Sequence, residues 1–369
     1  MPPGSIFAVP LRASLERIMH FATPADAHTG VMIKRSYVLP LLAACCLCLL
    51  SSAVARADDV SSRPVDDRGV FSVQLENDMF QHTDRHYTHG TRFSYLTPEG
   101  DIPDEVNAAA DAMPWFPTDG RKRASFILGQ SIFTPSNITL RDPPANDRPY
   151  AGWTYGGVGL VSDTGRQLDN LELDLGIVGP QSYAEDTQKF VHGVIGAKQP
   201  QGWNNQLKNE PGIVLTYERT WRSIVQAYPL GFGADLSPHA GGSLGNVMTQ
   251  AAGGLMLRVG RNLPDDYGPP RIRPSLPGSD FFVPNKGFGW YLFAGVEERA
   301  VARNIFLDGN TFAHSASVDK NTWVGDFQFG IAVTFDAVRI ALTEVDRTRE
   351  FEGQQHPDSF GALTVGLRF

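Results

Sequence analysis

The stretch that decides the fold is the last one, "ALTVGLRF" at 362–369. Side chains on an extended strand point alternately to its two faces. Leu363, Val365, Leu367 and Phe369 therefore share one face, and the chain stops on an aromatic ring. Working back from the end, "VRIALTEV" (338–345), "WVGDFQFGIAVTF" (323–335) and "GWYLFAGVEE" (289–298) repeat with the same period of two. So do "GLMLRVG" (254–260), "LGFGADLSPHAGG" (230–242), "GIVLTYERTW" (212–221) and "LELDLGIV" (171–178). "YAGWTYGGVGLV" (150–161), "ASFILGQSIF" (124–133), "YTHGTRFSYL" (87–96) and "VFSVQLEN" (70–77) bring the count to twelve strand candidates. Turn signals such as "PDDYG" (264–268) and "LDGN" (307–310) lie between them.

An even number of alternating strands, the last ending on Phe, predicts an all-β fold: a 12-stranded antiparallel transmembrane β-barrel of the outer-membrane type, with a short helix between two strands. No stretch after residue 57 has the roughly 20 apolar residues that a membrane helix needs. Aromatics near strand ends (Tyr87, Tyr95, Trp153, Tyr155, Tyr217, Trp221, Trp290, Tyr291) are expected at the membrane interfaces. The rival fold is a soluble β-sandwich, which the strand count, the terminal Phe and the leader described next argue against.

Residues 36–57 follow the basic pair Lys34-Arg35, carry a short apolar run and end in Ala55-Arg56-Ala57. That is the pattern of a secretory signal peptide. Met32 is a second start candidate, so 1–31 reads as an over-extended start, 32–57 as the signal peptide and 58–369 as a single barrel domain. The lipoprotein-like box Leu42-Ala43-Ala44-Cys45 is the competing reading of this leader. Cys45, Cys46 and Cys48 are the only cysteines in the sequence, so the chain after residue 57 has no disulfide framework and no cysteine metal site. It carries 27 basic and 38 acidic residues, a net charge of −11 and no footprint for nucleic acid. The expected location is the outer membrane of a Gram-negative bacterium.

Two polar clusters interrupt the pattern. "LEND" ends one strand at Glu76, Asn77 and Asp78, and "HYTHG" (86–90) opens the next. Further on, "SYAEDTQKFVHGVIG" (182–196) predicts a helix over about Tyr183 to Ile195. Ser182 is the expected N-cap, with Glu185 three residues on completing a capping box. Phe190, Val191, Val194 and Ile195 give the helix an apolar side, while Gln188 and His192, four apart, share a face. Such a helix either plugs the lumen or carries a polar group over the barrel wall.

"LELDLGIVGPQSYAEDTQKFVHGVIGAKQPQGWNNQLKNEPG" (171–212), with "LENDMF", "TDRHYTHGTRFSY" and "ANDRPYAGW", resembles the outer-membrane lipid A 3'-O-deacylase family over most of the chain after the leader. The resemblance implies a 12-stranded barrel that hydrolyses the 3'-linked acyloxyacyl ester of lipid A with calcium. Its active site is expected on the outer-leaflet side of the wall, between barrel and helix. It also implies site roles for Asn77 and Asp78, for Thr88, for Gln188 and His192, and for Arg148 in "DRPYAGW". The chain departs from the family at Lys198, where the family has an acid, and in a shorter loop between Asp78 and Thr88.

The residue chemistry agrees with the resemblance. Ester hydrolysis needs a nucleophile, a base and stabilisation of the oxyanion. The one G-x-S-x-G string, Gly241-Gly242-Ser243-Leu244-Gly245, lies in a run read as strand and not at a strand-to-helix elbow. Water is therefore the expected nucleophile and His192 its base, with Gln188 to orient the imidazole or the water. Asn77 and Thr88 are expected to take part in catalysis. Asp78, Asn77 and Thr88 offer hard oxygen ligands that suit Ca²⁺, while Glu76 alternates to the other face of its strand. Arg148 and Lys198 are candidates to hold a glucosamine phosphate of lipopolysaccharide, with a structural ion pair as the alternative for Arg148. Two other functions compete. One is a phospholipase-like serine esterase built on His239 and Ser243 in "SPHAGGSLGN" (237–246), and the other is a non-catalytic channel.

Overall fold

The computed structural model describes residues 65–81, 85–272, 279–285 and 287–369. The expected leader, 1–57, lies outside them. Twelve strands form the barrel: β1 (Val70–Asn77), β2 (His86–Leu96), β3 (Arg121–Thr134), β4 (Ala151–Asp163), β5 (Gln167–Val178), β6 (Glu210–Trp221), β7 (Gly233–Gly245), β8 (Met248–Arg261), β9 (Phe288–Asn304), β10 (Trp323–Phe335), β11 (Val338–Arg347) and β12 (Asp358–Arg368). Each coincides with one of the alternating runs. Every strand pairs antiparallel with its sequence neighbours, and β1 pairs with β12, so the sheet closes and has no free edge. A three-residue strand, Val225–Ala227, adds to β7 near one rim.

The alternation sorts side chains as a membrane barrel requires. Phe126, Leu128, Leu175, Leu292 and Leu342 stand exposed on the outer face, where a lipid belt would lie. Ser72, Gln74, Glu76, Arg299, Asp326 and Arg339 are buried on the inner face. There, Asp326 accepts from Arg299 at 2.9 and 3.0 Å and from Arg347 at 2.9 Å. Charges this deep persist because they are paired; an unpaired one would cost several kcal/mol.

The lumen is not an open pore. Near the rim opposite Val70 and Arg368 it is packed with Tyr87, Phe133, Trp153, Tyr155, Phe306 and Phe360. From the other rim, the β8–β9 connection folds inward. Tyr267, Phe281 and Phe282 of that connection are buried against Val70 and Leu96. Arg271 Nε donates to Glu76 Oε1 at 3.0 Å, and Ile272 N donates to the same oxygen at 3.1 Å. Among the described residues the lumen is thus packed toward both rims, which argues against the channel reading. Four of the aromatics expected at the membrane interfaces, Tyr87, Trp153, Tyr155 and Tyr291, point into this core instead. A strand-end aromatic marks a girdle only on the outward face.

Three helices complete the described chain: α1 (Asp104–Asp111), α2 (Ala184–Ile195) and α3 (Ile305–Asp308). α2 belongs to the long β5–β6 connection at the rim away from Val70 and Arg368. It lies on the outside of the wall: Ala184 and Trp203 pack against Ile132 of β3 and against Tyr150. Gly152 of β4 sits beneath it, where a Cβ would run into Ser182 and Ala184. The expected capping box does not form. A 3₁₀ turn over Pro180–Ser182 leads in, and Tyr183 serves as N-cap with φ of 56°. Ser182 Oγ donates to the Gly179 carbonyl at 2.6 Å, turned away from the helix.

Candidate active site

α2 is inverted relative to a helix on a water-soluble protein. Phe190, Val194 and Ile195 are exposed, whereas Ala184, Gln188 and His192 are buried. These three are spaced i, i+4, i+8, one stripe turned to the barrel wall. A helix between lipid and protein has its solvent on the apolar side, so its polar stripe is the one enclosed.

Each polar group on the stripe is held. Trp203 Nε1–H donates to Gln188 Oε1 at 2.8 Å. That contact fixes the amide orientation, because an indole N–H can only donate. Gln188 Nε2 is buried and has no hydrogen-bond partner among the described residues. His192 Nδ1 lies 2.6 Å from the backbone carbonyl of Lys198. A carbonyl only accepts, so Nδ1 carries a proton, and in the neutral ring Nε2 carries the lone pair. The Lys198 side chain itself is exposed.

The wall beside α2 carries the second cluster. Asn77 is the last residue of β1 and faces outward, since Glu76 faces the lumen. Register places it opposite His89 of β2, which lies opposite Ile132 of β3, which lies opposite Gly152 of β4. With strands about 4.8 Å apart, this row runs from Asn77 to the ground under α2 within about 15 Å. Asn77 Nδ2 lies 3.2 Å from His89 Nδ1, and Asn77 Oδ1 accepts from the Met79 N–H at 2.7 Å.

A bulge between Tyr87 and His89 breaks the alternation of β2. Tyr87 points into the lumen core, while Thr88 Oγ1 meets Thr134 Oγ1 at 2.7 Å. Thr134 follows the lumen residue Phe133, so it and Thr88 belong to the outer side. Asp78 opens the 3₁₀ turn after β1, is 2 % exposed, and accepts from the Arg85 N–H at 2.5 Å.

Asn77, Thr88, Gln188 and His192 thus share the outer face at one rim, with Asp78 at its edge. As a metal site, the donors fit Ca²⁺ in kind: one buried carboxylate, hydroxyls and an amide carbonyl, all hard oxygens. Among the described residues no group of three or more His, Cys, Asp or Glu converges, so the set is poor in charge.

Arg148 lies elsewhere. It is fully buried at the lumen mouth, where Nη2 donates to Glu350 Oε2 at 2.9 Å and the guanidinium lies over Phe133 and Phe351. Burial pushes the Glu350 carboxyl up, but Arg148 and Arg347 outweigh it and hold it below the usual carboxylate range. This is the structural ion pair that the sequence left as the alternative for Arg148.

The serine-esterase pair does not meet. His239 Nε2 contacts Glu297 Oε2 at 3.2 Å, and Ser243 Oγ contacts Thr216 Oγ1 at 2.9 Å. Four residues along a strand are about 13 Å apart, beyond any proton transfer.

Sequence reasoning did not single out His89 or Trp203. His89 was legible in "HYTHG" as the outward neighbour of Asn77, but only with the register known. Trp203, in "QGWNN", depends on a fold-back of the β5–β6 connection that no periodicity signals.

The sequence matches, over residues 41–369, the model of a family described as outer membrane protein LpxR. Among solved structures, LpxR from Salmonella typhimurium is similar with a TM-score of 0.66 and 20% identity, covering 81% of this chain and 99% of that one. The β domain of the Bordetella autotransporter BrkA aligns with a TM-score of 0.40 and 10% identity, over 82% of this chain and 100% of that one. The translocator domain of the autotransporter NalP from Neisseria meningitidis aligns with a TM-score of 0.35 and 10% identity, over 90% of this chain and 97% of that one. No curated protein matches the sequence.

Proposed function

The chain belongs to the LpxR family of outer membrane proteins, and from that premise we propose that it is a calcium-dependent outer-membrane esterase that removes the 3'-linked acyloxyacyl chain of lipid A. The observation that carries this reading is the inverted helix α2. It encloses a histidine and an oriented glutamine against the outer wall near one rim, with its apolar side exposed. A soluble substrate would need no such placement.

In the proposed reaction, water attacks the ester carbonyl carbon. His192 Nε2 takes the proton from that water, and the Lys198 carbonyl steadies the resulting imidazolium through Nδ1–H. Gln188 Nε2 donates to the water or to the ester. The new bond joins the water oxygen to the acyl carbon. The bond to the sugar 3'-oxygen breaks, and His192 returns its proton to that leaving oxygen. The products are a free 3'-hydroxyl and an acyloxy-substituted fatty acid. Calcium held by Asp78 and Thr88 would supply positive charge for the oxyanion, while Asn77 Oδ1 is already engaged by the Met79 N–H. The exposed Lys198 ammonium suits a contact with a glucosamine phosphate.

Mass spectrometry of lipid A from cells with and without the protein tests the reading. Loss of the 3'-acyloxyacyl mass only when the protein is present supports it; identical spectra overturn it.

A further inference from the structure

We infer that His89 is a positioning residue that locks the side chain of Asn77 so that its amide N–H₂, not its carbonyl, serves the site. This inference deepens the deacylase reading and rests on it for the chemistry, though not for the geometry.

The argument starts from a group that cannot be ambiguous. The backbone N–H of Met79 lies 2.7 Å from Asn77 Oδ1. A backbone N–H only donates, so the atom facing it is the carbonyl oxygen and the amide of Asn77 is fixed in one of its two flips. The nitrogen Nδ2 then faces His89 Nδ1 at 3.2 Å. An amide nitrogen also only donates, so Nδ1 must accept, and the proton of the neutral ring is on Nε2. That proton has a partner: Nε2 lies 2.7 Å from Thr91 Oγ1. One relay therefore runs Met79 N–H to Asn77 Oδ1, Asn77 Nδ2–H to His89 Nδ1, and His89 Nε2–H to Thr91 Oγ1. All three side chains stand on the outer face of the wall, at successive outward positions of β1 and β2.

Two consequences follow. The Oδ1 lone pairs of Asn77 lie toward its own turn, which weakens it as a metal ligand. Nδ2 has a second hydrogen, and among the described residues the His89 contact is its one hydrogen bond. A donor fixed on a rigid strand end suits a developing oxyanion, because its orientation costs nothing at the moment of reaction. His89 touches no reacting atom in this scheme and acts only through Asn77.

The test uses the full-length protein in detergent, with isosteres chosen by atom. His89→Asn sets an acceptor oxygen near the Nδ1 position and keeps the link to Asn77. His89→Gln reaches the Nε2 position, so it keeps the link to Thr91 and loses the one to Asn77. The inference expects His89→Asn to retain activity within a few-fold of wild type. His89→Gln and His89→Leu should lose about 10- to 100-fold in kcat with KM little changed. Equal activity of the Asn and Gln variants, or a change confined to KM, would overturn it. A second readout needs no turnover. Long-range ¹⁵N–¹H spectra of histidine-labelled protein, with His89 assigned by its loss in His89→Asn, should show the Nε2–H tautomer. An Nδ1–H tautomer would overturn the relay even if lipid A is deacylated. The Nε2–H tautomer in a protein that leaves lipid A intact would overturn only the deacylase reading.

Discussion

The Nδ1–H of His192 is held by the Lys198 carbonyl at 2.6 Å, six residues further along the chain. The contact closes the turn after α2 and sets the ring's tautomer together. It also separates two roles at position 198, because the backbone orients the base whatever the side chain is.

His192→Ala is expected to lower the deacylation rate by about 10²- to 10⁴-fold, the usual range for loss of a general base. The barrel should remain heat-modifiable on gels, since α2 lies outside the closed sheet. Lys198→Ala keeps the carbonyl, so kcat should hold near wild type. Any effect should appear in KM, through loss of the phosphate contact. Rates at varied lipid A concentration for both variants check this; a collapse of kcat in Lys198→Ala would contradict it.

Calcium dependence is expected to be of the weak-site kind. Asp78 is the one carboxylate among the proposed donors, and its backbone bond from Arg85 keeps it in the turn. Chelation with EGTA should stop turnover and added Ca²⁺ should restore it. Asp78→Asn should raise the calcium needed for half-maximal activity or abolish activity. Full turnover in excess EGTA would exclude the site.

The seam where the barrel closes has an acid-sensitive clasp. Asp66, just before β1, accepts from Arg123 at 2.6 Å and pairs with Arg368 at the end of β12. Burial pushes its carboxyl up, but the two guanidinium groups outweigh this and hold it below the ordinary value of 3.8. A group whose folded-state pKa is depressed adds stability that is complete above its unfolded value and fades as pH falls through the folded one. Wild type and Asp66→Asn should therefore differ by a constant unfolding midpoint from about pH 7 to 5, and the gap should begin to narrow below about pH 4. A gap that does not narrow at all as pH falls below about 4 would mean the clasp is not ionic.

The strands were legible because a membrane barrel writes period two into every one of them, down to Leu363, Val365 and Leu367. The position of α2 was legible too, from Gln188 and His192 at helical spacing. Its orientation was not. Amphipathicity tells that two faces differ, but which face is buried depends on whether the surrounding solvent is water or lipid. Phe190 and Val194 are exposed for that reason. Ser182 looked like a cap because its type and spacing fit, yet the 3₁₀ turn at Pro180 had already aimed its hydroxyl at Gly179. Thr88 was a candidate through the family resemblance, but the bulge that turns it from the lumen leaves no mark in "HYTHG". Least legible was the lumen filling, where "PDDYG" read as a surface turn. The contact that anchors this segment joins residues 195 positions apart.

That contact carries the last prediction. Glu76 and Arg271 are each 1 % exposed at their side chains, and Glu76 Oε1 accepts from both Arg271 and the Ile272 N–H. Glu76 is also the inward neighbour of Asn77, so the segment that fills the lumen braces the wall directly behind the proposed site. Removing one partner of such a pair leaves a buried charge uncompensated, at a cost of about 3–5 kcal/mol. Arg271→Ala should lower the temperature at which the folded barrel is lost on gels, and should also depress activity, because the end of β1 loses its inner support. Glu76→Gln placed in the same chain removes the stranded charge while keeping an acceptor for the Ile272 N–H. The double variant should therefore recover most of the lost thermal stability. Single-channel recordings add an independent check. Wild type should conduct negligibly, because aromatic residues and the inward-folded segment fill the lumen. A steady open conductance of wild type would contradict the filled lumen, and a double variant no more stable than Arg271→Ala alone would show that Arg271 does not act through Glu76.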